Sequence, residues 1–194
     1  MILAALALAA SAPSFDCKKA SIEIEKKVCG DEVLARSDQA VAVLFRSIRK
    51  QNPKAAREQR EWLADRNGCK YPGCLLDSYE ARVSDLLFES NLGRRYSNGP
   101  HGTLSILPLG DDWYAFRAQN LWVGSVPGAV NDAEASGVFR LVNGRGSRPP
   151  QARYDCGWRI QKLPRNRWKL EDWPGTDGPA CGGLNASVEG VYSR

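Results

Sequence analysis

One histidine and six cysteines are the residues of this chain whose types most readily do chemistry. A Ser–His–Asp or Cys–His set needs an imidazole base beside its nucleophile. His101 lies instead in Asn98-Gly99-Pro100-His101-Gly102, a run that reads as linker. Asp111-Asp112 offers paired carboxylates, yet Gly-Asp-Asp before Trp113 is the pattern of a hairpin turn. Zinc needs close thiolate pairs or added histidines. Cys69 and Cys74 are five apart, and His101 is the lone histidine. There is no phosphate loop, zinc motif or dinucleotide fingerprint. The expectation is therefore no catalytic residue, no metal and no cofactor.

The cysteines then read structurally. Residues 1–12 are an apolar run ending in Ala10-Ser11-Ala12, which fits a small-residue cleavage site and too short a span for a permanent membrane helix. An even set of cysteines behind an export signal implies three disulfides among Cys17, Cys29, Cys69, Cys74, Cys156 and Cys181. Cys156–Cys181 should close the second half of the chain. Two pairings of the other four stand open. Cys17–Cys69 with Cys29–Cys74 is preferred over Cys17–Cys29 with Cys69–Cys74, because longer loops restrict the unfolded chain more. The localisation expected is periplasmic or secreted, with no membrane span.

Charge is unevenly placed. Residues 13–90 hold 14 basic and 13 acidic side chains, and residues 91–194 hold 13 and 9. Nine basic residues and one acid, Asp155, fall within residues 140–169. Arg145, Arg148, Arg165 and Arg167 in this cluster are candidate contacts for an anionic envelope polymer. The acids Asp111, Asp112, Asp132 and Glu134 form the opposing candidate surface. Nucleic acid is not an expected partner of an exported protein.

Two kinds of element position these residues. In the first half, Leu34, Val41, Phe45 and Ile48 recur at helical spacing after Asp31, a suitable N-cap. A third helix runs over residues 54–67 and stops at Gly68, and a fourth carries Leu75, Tyr79, Val83, Leu86 and Leu87. Ser21 would cap a first helix ending near Cys29. Glu61, Trp62, Asp65 and Arg66 read as a core tryptophan beside a solvated charged face. The second half alternates in short runs, with Asn143-Gly144 and Pro164-Arg165-Asn166 as turns. Trp113, Tyr114, Phe116 and Trp122 are assigned to the β core. The fold class expected is α+β in two modules: a disulfide-stapled four-helix domain (residues 13–90), a linker (91–102) and a small antiparallel β-barrel or sandwich (103–194). Residues 1–12 are the signal peptide.

The first half also resembles a known family. Phe15-Asp16-Cys17-Lys18-Lys19-Ala20, then Glu25, Val28-Cys29, Asp31, Leu34 and Asp38, begin the pattern. Glu58-Gln59-Arg60-Glu61-Trp62-Leu63, Arg66 and Cys69 continue it, and Cys74-Leu75, Tyr79 and Arg82 close it. In order and spacing this is similar to the LprI-type lysozyme inhibitor family over residues 15–87. Ser37 departs from it, where an apolar residue is usual. The resemblance implies an exported helical domain and lysozyme or another cell-wall hydrolase as partner. It carries over no inhibitory loop. Tyr154-Asp155-Cys156 superficially resembles the Tyr-x-Cys of small β-barrel lysozyme inhibitors, although those carry it near their start. The ending Cys181-Gly182-Gly183-Leu184-Asn185 with Gly190-Val191-Tyr192 is similar to tails of proteins bearing this helical domain. The reading is a non-catalytic binding protein directed at such a hydrolase. The alternative is an envelope module that binds anionic glycan or lipid through a basic β face.

Overall fold

The computed structural model describes residues 13–71, 73–126, 128–151, 156–174, 181–183 and 185–194. The stretch 1–12, expected to be an export signal, and Pro72, Arg153, Tyr154, Asp155, Asp177 and Leu184 lie outside the described residues. A 3-10 turn at Cys17–Lys19 precedes α1 (Glu23–Gly30), α2 (Glu32–Ile48), α3 (Ala55–Asn67) and α4 (Cys74–Ser90). The strands follow: β1 (Arg94–Asn98), β2 (Gly102–Gly110), β3 (Trp113–Val123), β4 (Val130–Arg140), β5 (Arg145–Arg148), β6 (Trp158–Leu163), β7 (Arg167–Asp172) and β8 (Gly190–Tyr192).

The helices end where side-chain chemistry ends them. Asp31 caps α2 by accepting a hydrogen bond from the Leu34 amide at 2.9 Å, which satisfies one free first-turn donor. The start of α1 differs from expectation. Ile22 rather than Ser21 is its N-cap residue, and the Glu25 carboxylate reaches back to the amides of Ser21 and Ile22. Asn91 stops α4 in the left-handed region, at φ 55°. The apolar faces of α1, α2 and α4 meet in one core around Val28, Leu44, Val83 and Leu86.

The strands form two four-stranded antiparallel sheets, ordered β1-β2-β3-β4 and β5-β6-β7-β8. Their inner faces share one core, including Phe116 and Phe139 from the first sheet and Trp158, Trp168 and Leu170 from the second. They do not close into a barrel. A single bridge, Ser97 with Ser193, links β1 to the end of the second sheet. The alternation of β3 explains the layering. Phe116 and Ala118 point into the space between the sheets, whereas Trp113 and Ala115 point the other way. With Val138 of β4, Trp113 and Ala115 complete the core of the helices. The first sheet is therefore a middle layer with helices on one face and the second sheet on the other.

Three sequence expectations change here. Residues 94–98, assigned to a linker, form β1 and pair with β2 in the register Tyr96 to Leu104. Trp113 belongs to the helical core and not to the β core, because odd positions of β3 face α4. The preferred disulfide pairing is overturned. The bridges are Cys17–Cys29, Cys69–Cys74 and Cys156–Cys181, so the helical half is closed by two short loops. Both short pairs are brought together locally. Cys17 lies on the turn before α1 and Cys29 at its end, and Cys69 and Cys74 flank the corner between α3 and α4.

Gly137 shows how closely the layers meet. Its φ is +135°, and a Cβ there would come within 3.1 Å of the Glu80 side chain on α4.

Candidate binding surfaces

Of the eight charged residues singled out in the sequence, three join the helices to the sheets. Arg148 of β5 is 8 % exposed, and its Nε lies 2.6 Å from Glu80 Oε1 of α4. A second nitrogen is 3.6 Å from Asp77, and a third donates to the Cys156 carbonyl at 2.6 Å. Glu134 of β4 accepts from Arg117 at 3.0 Å and is bonded to the Ser84 hydroxyl of α4. Asp111, in the β2–β3 turn, accepts from Arg36 of α2 at 2.9 Å. Arg36 is itself buried, with its guanidinium 5.7 Å from the Trp113 ring centroid.

The two remaining acids do not meet. Asp112 precedes β3 in the β2–β3 turn, and Asp132 of β4 pairs with Leu121 near the opposite end of β3. At about 3.3 Å per residue they stand on the order of 30 Å apart. The four acids therefore form no continuous acidic rim. Asp112 and Asp132 are exposed.

The basic residues are arranged differently. Strand pairing sets Arg145, Gln161 and Lys169 in one row across β5, β6 and β7, and Ser147, Arg159 and Glu171 in the next. Neighbouring strands are about 4.8 Å apart, so the two rows make a compact patch. These positions alternate with Ile160 and Leu170, which are buried in the core, so the patch is the outer face of the second sheet. Glu171 reports the field there. A hydrogen bond from Lys169 at 2.7 Å, with the nearby charges of Lys169, Arg159 and Arg145, holds its carboxyl below the usual carboxylate range. Arg165 and Arg167 are exposed at the β6–β7 turn, at the edge of this patch.

A groove of about 1060 Å³ runs between the helices and the sheets. Nothing in the sequence marked it, because its walls come from α1, α2, the α3–α4 corner, α4, β3, β4 and β5. Val142, Arg145, Gly146 and Ser147 line both the groove and the outer basic patch, so the two adjoin.

The residues that carry the family resemblance converge in the helical half. The Tyr79 hydroxyl donates to Asp38 at 3.0 Å and accepts from Arg66 at 2.8 Å. Arg66 also packs against the Trp62 ring at 5.4 Å, and the Trp62 indole donates to the Ser78 carbonyl. Arg82 donates to Gln59. Burial and the neighbouring Asp38 carboxylate push the Tyr79 hydroxyl well above its ordinary range. Arg66 is 5 % exposed and so is part of the core rather than of a solvated face. These side chains form an internal brace, not a contact surface.

No family model, curated protein or solved structure matches the chain. Function must be argued from its own surfaces. His101 is exposed, and its carbonyl accepts from Leu121. Among the described residues no helix is long and apolar enough to cross a membrane.

Proposed function

We propose that this chain is an exported, non-catalytic binding protein that holds an anionic envelope polymer on the outer face of its second sheet. The observation that carries the reading is the paired rows of Arg145, Lys169 and Arg159 around a single ion-paired acid, Glu171. Such a face attracts anions at a distance and favours fast association. Export is supported by three disulfides, which persist in oxidising compartments. Co-sedimentation with an anionic polysaccharide and with a neutral one tests it. Binding to the anionic polymer alone is expected, and equal binding to both would overturn the reading.

A second reading is inhibition of lysozyme or another cell-wall hydrolase. It rests on the family resemblance, whose residues Asp38, Trp62, Arg66 and Tyr79 gather in one buried brace. Because that brace is internal, the resemblance speaks for the helical architecture and leaves the contact surface open. The basic face suits an acidic muramidase better than a basic lysozyme, since like charges slow encounter and cost affinity. Turnover assays with one acidic and one basic muramidase separate the two targets.

A further inference from the structure

The groove between the helices and the sheets combines an apolar floor with a basic rim. Ile24, Leu75, Trp113 and Val138 lie along it and belong to the helical core. Tyr71 on one bank and Val142 on the other are 65 % and 61 % exposed and extend the apolar lining to the rim. Leu76 of α4 and Val33 of α2 add to the same wall.

The charges along the groove are of mostly one sign. Lys27, Lys70, Arg140 and Arg145 line it. Among the described residues, Lys27, Lys70 and Arg140 form no ion pair. The acids there are occupied: Asp31 caps α2, and Glu80 is held by Arg148. An occupant must therefore bring apolar surface for the floor and negative charge for the rim. The volume is just above the roughly 300–1000 Å³ typical of small-molecule sites.

We infer that the groove binds a single-chain amphiphile with an anionic head, of the fatty-acid type, tail on the Leu75–Trp113 floor and head against Lys27, Lys70 and Arg140. This site is separate from the outer basic face and does not rest on the polymer-binding reading, although Arg145 borders both.

Titration of dansylated undecanoate into the oxidised full chain tests it, because the label brightens on entering an apolar site. One-to-one saturable binding is expected, displaced by oleate but not by butyrate or by an alkyl maltoside with a neutral head. Leu76→Trp and Val33→Trp each fill the groove from the solvent side and should weaken binding at least about tenfold. The double change K27E/R140E should do the same by removing the partners of the head. R159E/K169E, on the outer face, should leave binding unchanged. Several results would overturn the inference: no saturable binding, affinity unaffected by both tryptophan variants, or displacement by butyrate alone. Loss of binding in R159E/K169E would move the probe to the outer face, removing this site while leaving the polymer reading intact. A dimer dissolved by Leu76→Trp would give the groove to a second copy of the chain, and also overturn it.

Discussion

In the helical half, Arg36, Asp38, Arg66 and Arg82 are each less than a tenth exposed; Asp38 and Arg66 share Tyr79, while Arg36 and Arg82 donate to Gln39 and Gln59. Between the sheets the interior is aromatic. Phe116 meets Trp158 with ring centroids 4.5 Å apart, and Phe139 contacts Tyr114, Phe116, Trp158 and Trp168. The contrast follows from geometry. Two inner sheet faces enclose a space wide enough for large rings. The helices around α4 also enclose long polar side chains, which fill part of the interior while specifying how the helices cross. A buried charged brace costs desolvation, so it holds only while every member is present.

The largest effects should come from taking one member out of each core. Asp38→Ala leaves Arg66 buried without its carboxylate and should cost about 3–5 kcal/mol. Phe116→Ala leaves a cavity between the sheets and should also cost about 3–5 kcal/mol. Urea denaturation followed by far-UV circular dichroism measures both. The comparison sharpens with Tyr79→Phe, which removes two hydrogen bonds but little volume. A loss far below that of Asp38→Ala would locate the brace in the ion pair.

Removing disulfides one at a time should rank them by loop length. Sequence separations of 25, 12 and 5 give about 3.5, 3 and 2 kcal/mol for Cys156–Cys181, Cys17–Cys29 and Cys69–Cys74 on the chain-entropy account. Paired Cys→Ser variants and thermal melts check the order. A reversed order would mean that the two short bridges act through native packing at the ends of α1 and at the α3–α4 corner.

A smaller effect should appear where the two regions meet. Glu80→Gln weakens the bond to Arg148 and should cost about 1.5–3 kcal/mol, as for hydrogen bonds to charged groups. Because Trp113, Ala115 and Val138 lie in the helical core, the wild-type chain should unfold in one transition by both far- and near-UV signals. Separate transitions in the wild type would break the picture of a shared interface.

The smallest effect is confined to alkaline solution. Burial, with the nearby Asp172 charge, pushes the Tyr192 hydroxyl up to about 12 from its ordinary value near 10. The folded state keeps this proton where the unfolded state has lost it. Its contribution to stability is therefore full below pH 10 and is lost as pH rises towards 12. Tyr192→Phe should flatten that decline, measured as urea midpoints at pH 9 and 11.

Much of this fold is legible in the residues. The stripe of α4, the Asp31 cap and the Asn143-Gly144 turn are local signals, and each is found where the spacing puts it. What was hidden depends on partners distant in the chain. Arg94–Asn98 looks polar because β1 is an edge strand with only Tyr96 buried. Glu134 and Arg148 look like free surface charges because α4 supplies partners that the local sequence does not show. The disulfide preference failed because loop entropy describes the unfolded chain and says nothing of which cysteines the helices bring together. Among the sites, the outer basic rows follow from alternation once the strands are known. The groove does not, since helices and strands distant in the chain build it together.

Salt titration of anionic-polymer binding tests the central claim most directly, run on wild type, on R145E/R159E/K169E and on D112N/D132N. Wild-type affinity should fall steeply with rising salt, because screening shortens the attraction. The triple charge reversal should abolish binding at every salt concentration, and D112N/D132N should bind as wild type does. A triple variant that binds like wild type, with the same salt slope, would contradict the assignment of function to the outer face of the second sheet.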